Sequence, residues 1–343
     1  MANFNRRSLL QLAVSAWAPT FLKPDPPDPT GLRRPISLGR VTEPAIWAYA
    51  DPKPAAVKVK SFRRDTVLKI YESVTTEGLL PHNPVWNLTP FGWVYSSWVQ
   101  PVKYQPNRVV RDVPESGFWA RVSMPYVAMR AKPDLNAVLR HRLYYGSVHL
   151  VIDRVEDALG RSWYQLRDDQ LPKLPEYVRA EGLRPIAPQE MTPISPDVED
   201  KRIEVSLKDQ RLYAYENGSP VFSAGCATGA TFTVEGVGLA DFTTPYGEHS
   251  VIRKRPSRHM IGYTGRSDAY DLPGVPFVTY FTAEGAAVHG AYWHNDFGRP
   301  RSHGCVNVLP EVAHWVYRWS MPAAAYEQAL LEVKDGGTPI VVA

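Results

Sequence analysis

VHGAYWHNDFGRPRSHGCVN, residues 288–307, is the stretch that decides the fold assignment of this sequence. It contains His289 followed by glycine, and Cys305 preceded by Gly304. Glycine permits a tight turn at which two successive backbone N–H groups point at one spot, as in an oxyanion hole. His289 can return on a neighbouring strand to act as base, which a thiol needs because free cysteine is mostly protonated at neutral pH. The stretch therefore predicts a cysteine nucleophile paired with a histidine.

The same residues resemble the catalytic domain of the L,D-transpeptidases, the YkuD-like family. That family carries His-Gly, a gap, Ser/Thr-His-Gly-Cys, a hydrophobic residue, and then Asn or Arg. Residues 302–307 (SHGCVN) fill every position, and residues 289–290 fill the upstream half. The turn at 244–247 (TPYG) and the strand pair that opens the domain also match, so the resemblance covers residues 201–343.

Catalytic roles follow from the resemblance, position by position. It implies that Cys305 is the nucleophile and His289 the general base. The backbone carbonyl of Gly290 would orient the imidazole of His289 in place of a carboxylate. The backbone N–H groups of Gly304 and Cys305 would stabilise the oxyanion.

A second group of residues is expected to shape the substrate site. Three of them lie in the signature itself. His303 would shape the pocket or assist binding. Ser302 and Asn307 would form hydrogen bonds that shape the loop. Aromatic residues near it could form cleft walls, although they could equally be core aromatics. These aromatic candidates are Tyr280, Tyr292 and Trp293.

The resemblance also implies the reaction. The donor would be a peptidoglycan tetrapeptide stem, cut between its third residue and the terminal D-Ala, and the acceptor an amine on another stem. The product would be a 3→3 cross-link, no cofactor is needed, and carbapenems are expected to acylate the cysteine. Three alternatives stay open: an L,D-carboxypeptidase, a transferase that anchors proteins to the wall, and a catalytically silent wall-binding protein.

Cysteine and histidine residues in this region permit a different kind of site. His289, His294, His303 and Cys305 are zinc-ligand types, but their spacing matches no common zinc signature, so no metal is expected. The chain has two cysteines. Cys226, at the end of a predicted strand, is predicted to be a buried thiol of the core. Because a bridge to Cys226 would block Cys305, both are predicted to be reduced in the active form.

Residues 201–343 have the pattern of a mainly β domain. Alternating strands are predicted at 203–207, 210–215 and 220–226, with a hairpin at Asn217-Gly218. Further strands are predicted at 249–252, 278–281 and 286–289. One helix is predicted at 309–319, because Pro310 suits a first turn and apolar residues fall on one face. We expect an L,D-transpeptidase-type β-sandwich with one or two short helices.

An internal repeat precedes this domain. RVTEP at 40–44 matches RVSMP at 121–125, and each is followed by an alternating apolar strand. Trp86 corresponds to Trp163, and GWV at 92–94 to EYV at 176–178. The pattern resembles bacterial Src-homology-3-like domains and predicts two small barrels, at 38–104 and 118–186. They would hold cell-wall polymer or peptide, or serve only as spacers.

The N-terminal segment predicts export, and two proline-rich segments are predicted to connect domains. Arg6 and Arg7 precede a short apolar run, which is typical of a twin-arginine-like signal at residues 1–24. We therefore expect an exported protein at the outer side of the cytoplasmic membrane. Proline-rich stretches at 25–37 and 187–200 are predicted linkers.

Bulk composition limits the possible partners. With 343 residues, the chain is long enough for two or three domains. Its net charge is only +4, and it has no basic run interleaved with aromatics, so no nucleic-acid partner is expected.

Overall fold

The computed structural model describes residues 34–343, which form 27 β-strands and one α-helix. The chain is mainly β, as predicted. The predicted export signal at 1–24 and most of the predicted linker at 25–37 lie outside the described residues. Within the described part, no helix combines the length and apolar character that crossing a bilayer requires.

The first repeat unit consists of eight strands in two sheets. One sheet has the order β3-β2-β7-β6-β5 and the other β4-β1-β8. A short 3-10 helix, Ser96–Trp98, leads into the last strand. The strands are β1 Ser37–Val41, β2 Ala45–Tyr49, β3 Lys58–Arg63, β4 Val67–Ile70, β5 Glu72–Leu80, β6 Asn83–Thr89, β7 Gly92–Tyr95 and β8 Val99–Val102.

The second repeat unit has seven strands in one sheet of order β11-β10-β14-β13-β12-β9-β15. A 3-10 helix, Ala180–Gly182, again precedes the last strand. The strands are β9 Phe118–Val122, β10 Tyr126–Arg130, β11 Leu139–Tyr144, β12 Val148–Glu156, β13 Ser162–Arg167, β14 Glu176–Arg179 and β15 Leu183–Pro185.

The two units share one strand order, which confirms the internal repeat. Strand β12 runs without interruption where the first unit divides at Tyr71 into β4 and β5, so one continuous sheet replaces two. Trp86 and Trp163 occupy equivalent registers, opposite Val74 and Val155. In the described residues neither unit closes into a barrel, because its edge strands do not pair with each other. The Src-homology-3-like assignment stays a prediction.

The C-terminal domain contains two five-stranded sheets and a separate hairpin. The first sheet has the order β18-β17-β16-β27-β21 and the second β25-β24-β23-β22-β26. The strands are β16 Lys201–Ser206, β17 Arg211–Glu216, β18 Ser219–Gly225, β19 Thr231–Val234, β20 Gly238–Asp241, β21 Gly247–Ser250, β22 Arg253–Gly262, β23 Tyr270–Tyr280, β24 Ala287–Gly290, β25 Val306–Val308, β26 Leu331–Glu332 and β27 Pro339–Val342.

Local sequence explains the predicted turn and helix. Asn217 and Gly218 both have positive φ, as a two-residue hairpin turn between β17 and β18 requires. The helix α1 is Pro310–Trp319, with Pro310 in its first turn and Ala313 and Val316 fully buried. It packs against β23 and β24 and fixes the strand that carries His289.

The second repeat unit shares an apolar core with the C-terminal domain. Trp119, Ile186 and Met191 are buried in the same core as residues of both C-terminal sheets and α1. The indole N–H of Trp119 donates to the carbonyl oxygen of Tyr326 at 3.0 Å. The segment predicted as a linker at 187–200 includes a 3-10 helix, Pro188–Met191, whose last side chain enters this core.

A buried arginine joins the first repeat unit to the C-terminal domain. Arg40 is only 2% exposed, and its guanidinium donates to the carbonyl oxygen of Tyr292 at 2.7 Å. It also pairs with Asp65 at 2.9 Å and donates to Gln100 at 2.8 Å. Each side of the guanidinium is therefore bound, which offsets the cost of burying its charge.

Candidate active site

Two adjacent parallel strands bring Cys305 and His289 together. Cys305 immediately precedes β25, and His289 lies in β24, with Val288 opposite Val306 and His289 opposite Asn307. Because side chains alternate along a strand, Cys305 and His289 point to the same face of the sheet. Both line one cavity of about 440 Å³.

The turn before Cys305 is built around Ser302. Its hydroxyl donates to the carbonyl oxygen of Cys305 and accepts the N–H of Gly304 at 3.2 Å. Gly304 has φ of +108°, a conformation that L side chains rarely adopt. This geometry explains why position 302 is a serine and position 304 a glycine. The predicted oxyanion role of the Gly304 N–H stays a prediction, and it requires that N–H to leave Ser302.

The thiol of Cys305 is protonated in the resting site. Its Sγ donates to the carbonyl oxygen of Gly285 at 3.7 Å. Burial raises the pKa of this thiol to about 11, against the opposing effect of a hydrogen bond with the backbone of Ala287. The sulfur therefore needs a base to become a nucleophile.

His289 is a buried neutral base. Burial lowers the pKa of its imidazole to about 4, although the hydrogen bond to Gly290 opposes the shift. Its Nδ1–H donates to the carbonyl oxygen of Gly290 at 3.3 Å, which leaves Nε2 as the proton acceptor. A Cβ on Gly290 would lie 2.7 Å from Pro276 and 2.8 Å from Pro310, so only glycine fits there.

His303 lies in a cluster of aromatic rings beside the cysteine. Its ring stacks on Phe232 with centroids 4.9 Å apart and contacts Phe242 at 4.6 Å. Its Nε2 is 3.5 Å from a carboxylate oxygen of Asp268. Burial lowers the pKa of His303, against the opposing charge of Asp268. The ring is therefore a wall of the site, held by packing on both faces.

Cys305 lies at the boundary of two cavities, of about 440 and 490 Å³. Four residues line both: Cys305, His303, Met260 and Tyr270. Met260 and Tyr270 belong to the β22–β23 hairpin, so this hairpin forms a shared wall. Predicted site residues in the first cavity are His289, Trp293, Ser302 and Asn307, and those in the second are Tyr280 and Gly304.

Tyr292 is not brought into either cavity. Its side chain is 1% exposed and its hydroxyl donates to the carbonyl oxygen of Pro273 at 2.7 Å. Its ring stacks on Tyr144 of the second repeat unit. Tyr292 is therefore a packing residue between domains, which was the alternative interpretation of this aromatic group.

Sequence reasoning missed two arginines on the wall of the first cavity. Arg299 and Arg301 both bind the fully buried carboxylate of Asp296, at 2.6 and 2.8 Å. The other oxygen of Asp296 is 2.8 Å from Nε2 of His82, and Glu43 binds Arg301 at 2.5 Å. The first repeat unit thus helps to position both cations. Their place directly before the SHGC signature is the signal that could have identified them.

The alternative zinc site does not form. Among residues 34–343, no three of His289, His294, His303 and Cys305 bring their ligand atoms together. His294 pairs instead with the side-chain amide of Asn307 at 3.0 Å. Cys226 and Cys305 are both free thiols, and Cys226 is buried in the core, as predicted.

Comparison with protein families identifies the domain that contains these residues. Residues 200–342 match the family model for YkuD, the L,D-transpeptidase catalytic domain. This segment is a YkuD-type L,D-transpeptidase catalytic domain. The match includes both sheets, α1 and all of the predicted site residues.

Solved structures similar to the L,D-transpeptidase domain include an Enterococcus faecium L,D-transpeptidase variant, with 25% identity over 42% of this chain and 50% of that chain, TM-score 0.32. An Ldtfm–avibactam carbamoyl enzyme shares 26% identity over 42% of this chain and 49% of that chain, TM-score 0.32. The L,D-transpeptidase LdtMt1 in complex with imipenem shares 15% identity over 81% of this chain and 100% of that chain, TM-score 0.33. This chain spans about half the length of the first two. A comparison with curated proteins finds no match.

We expect the L,D-transpeptidase domain to hold Cys305 as a thiol at neutral pH. Absorbance at 240 nm, which reports thiolate, should show no step that depends on Cys305 until the pH nears the thiol pKa of about 11. Because His289 stays neutral down to a pKa of about 4, acylation should be lost only as pH falls towards 4. The measurement is an absorbance titration and a pH profile of acylation by imipenem, with Cys305→Ala as the blank.

A thiolate step between pH 4 and 7 would contradict this expectation. It would mean that the thiolate and imidazolium form an ion pair at rest. The Cys226→Ala variant is the matched control, since burial raises the pKa of that second thiol to about 12.

Proposed function

We propose that this protein is a peptidoglycan L,D-transpeptidase that forms 3→3 cross-links through a thioester on Cys305. The observation that supports this most directly is that Cys305 lines two cavities. A transpeptidase needs a donor and an acceptor at one sulfur, and each cavity offers a separate approach. A hydrolase would need only one approach and water.

In the acylation step, His289 accepts the thiol proton at Nε2 while the sulfur attacks the carbonyl carbon of the third stem residue. The C–N bond to the terminal D-Ala breaks, and its amine leaves with the proton from His289. The result is a thioester, free D-Ala and a neutral imidazole. The Nδ1–H bond to Gly290 stabilises the transient imidazolium, because the carbonyl dipole faces it.

In the second step, an amine from another stem attacks the thioester carbon. His289 takes a proton from the attacking nitrogen, the C–S bond breaks, and the proton returns to the sulfur. A new amide bond joins the two stems. Since the resting pair is neutral before and after the cycle, no net proton is taken up.

Arginine side chains in the two cavities suit the carboxylates of stem peptides. Arg299 and Arg301 line the first cavity, and Arg253 and Arg258 line the second. Arg253 lies 4.2 Å above the ring of Tyr280 and makes no salt bridge among the described residues. Its guanidinium is therefore available to an incoming carboxylate.

Acylation by carbapenems and export to the cell envelope belong to the same proposal. A carbapenem presents a strained amide that Cys305 would open by the same attack, and a solved L,D-transpeptidase holds imipenem. Peptidoglycan stems lie outside the cytoplasmic membrane, and the paired arginines before an apolar run at the start of the chain agree with export.

The test is incubation of the purified protein with disaccharide-tetrapeptide, followed by mass spectrometry. The expected product is a dimer lighter than two monomers by one D-Ala, present with Cys226→Ala and absent with Cys305→Ala. Tripeptide with free D-Ala and no dimer would instead establish the L,D-carboxypeptidase alternative. No reaction across several stem types would favour the wall-binding alternative.

A further inference from the structure

A compact group of metal-ligand side chains lies between the second repeat unit and the β22–β23 hairpin. His141 comes from β11, His259 from β22 and Asp271 from β23. The ligand atoms of these three residues lie within 4.8 Å of one another. Nε2 of His259 is 2.5 Å from one oxygen of Asp271, and Nε2 of His141 is 3.8 Å from the other.

His259 is already oriented as a metal-binding histidine would be. Its side chain is 1% exposed, and its Nδ1 lies 2.8 Å from a carboxylate oxygen of the buried Asp168. Its backbone N–H donates to Asp169 at 2.8 Å. The contact with Asp168 is an ion pair without an aligned hydrogen bond, and a carboxylate beside the second ring nitrogen is the usual environment of histidine ligands.

The charges around His259 favour a cation at its Nε2. Carboxylate oxygens of Asp168 and Asp271 lie 2.8 and 2.5 Å from its two ring nitrogens. Arg255 and Arg258, which precede His259 on β22, are bound by Asp169.

We propose that His141, His259 and Asp271 bind a zinc ion. Two imidazole nitrogens and a carboxylate are ligands that Zn²⁺ accepts, each about 2 Å from the ion. The side chains of His141 and Asp271 are 25% and 53% exposed, so small rotations can close the site and a water can complete it. The ion would replace the direct contact between Nε2 of His259 and the carboxylate of Asp271.

Zinc at this position would fasten the wall of the catalytic cavities to the second repeat unit. Met260 follows His259 and Tyr270 precedes Asp271, and both line the two cavities beside Cys305. His259 itself lines the second cavity, so the ion would bind between that cavity wall and β11 of the second repeat unit. The site would then be structural, and its existence does not depend on the proposed transpeptidase reaction.

The test is titration of metal-free full-length protein with Zn²⁺ alone, followed by calorimetry and by native mass spectrometry. We expect one ion per chain in the Cys305→Ala background, which removes the reactive thiol as a competing ligand. His141→Ala and Asp271→Asn should each weaken binding at least tenfold. Asp168→Asn, which alters only the residue that orients His259, should weaken it by about 10–100-fold.

His249→Ala is the matched control, since His249 is a half-buried histidine of the same domain that hydrogen-bonds only to Pro245. A second readout is amide hydrogen exchange, which zinc should slow in residues 258–272. Absence of saturable binding in the Cys305→Ala background would overturn the proposal. Binding that survives both His141→Ala and Asp271→Asn would also overturn it, and the cluster would then be a plain ion-pair network.

Discussion

Replacement of Cys305 by alanine should abolish both cross-linking and covalent capture of carbapenems. Among residues 34–343, Cys305 is the only thiol that lines either cavity, and a thioester requires a sulfur. Loss of a covalent nucleophile lowers turnover by on the order of 10³-fold or more. The measurement is intact-protein mass spectrometry after exposure to imipenem, together with the rate of D-Ala release.

The Cys226→Ala variant supplies the comparison for this prediction. Cys226 is the other free thiol and is fully buried in the core, away from both cavities. It should keep the covalent adduct and the D-Ala release rate, while losing some stability through the cavity left in the core. An adduct on Cys305→Ala of the same mass as on the unmodified protein would refute the role of Cys305.

Replacement of Asp296 by asparagine should cause the largest loss of stability among the site variants. Although burial raises its pKa, hydrogen bonds from Arg299 dominate and hold the pKa of this carboxyl below its usual range. Asparagine would leave the guanidinium groups of Arg299 and Arg301 without their buried counter-ion. Because these guanidinium groups are 41% and 24% exposed and can regain solvent, the loss should be about 1–3 kcal/mol, which urea denaturation should detect in the free energy of unfolding.

The Glu43→Gln variant tests whether the burial of Asp296 causes the larger loss of stability. Glu43 also binds Arg301, but its side chain is 24% exposed, so solvent screens the pair. This variant should lose less than about 1 kcal/mol. Equal losses for the two variants would show that the buried position of Asp296 does not matter. Because Arg299 and Arg301 line the first cavity, Asp296→Asn should also raise KM for the tetrapeptide in the fraction that stays folded.

Features set by neighbouring residues could be predicted from the sequence. The Asn217-Gly218 turn requires positive φ at both residues, and asparagine and glycine are the residue types that adopt it most readily. Ser302 and Gly304 form the turn before Cys305 through contacts within four residues. The strand periodicity at 203–207 and the first-turn proline of α1 also act locally, and the structure contains both elements.

Features set by distant contacts could not be predicted in this way. Strand β22 was missed because it is ordered by pairing with β23 and with the more distant β26. The β19–β20 hairpin was missed for a local reason, its weak alternation, since its strands pair across residues 235–237 only. Asp296 gains its role from His82, which is more than two hundred residues away in the chain. The side chain of Tyr292 turns away from the cleft because Tyr144 and Pro273 bind it, and neither is near it in sequence.

The apolar contact between the second repeat unit and the catalytic sheets restricts how this gene can be recombined. Trp119, Ile186 and Met191 fill the same core as the strands that carry the enzyme. A recombination event at residue 200 would replace the second repeat unit with an unrelated domain and expose part of this core to water. Exchange that preserves this core would have to take place before Phe118, so the second repeat unit and the enzyme should be inherited together.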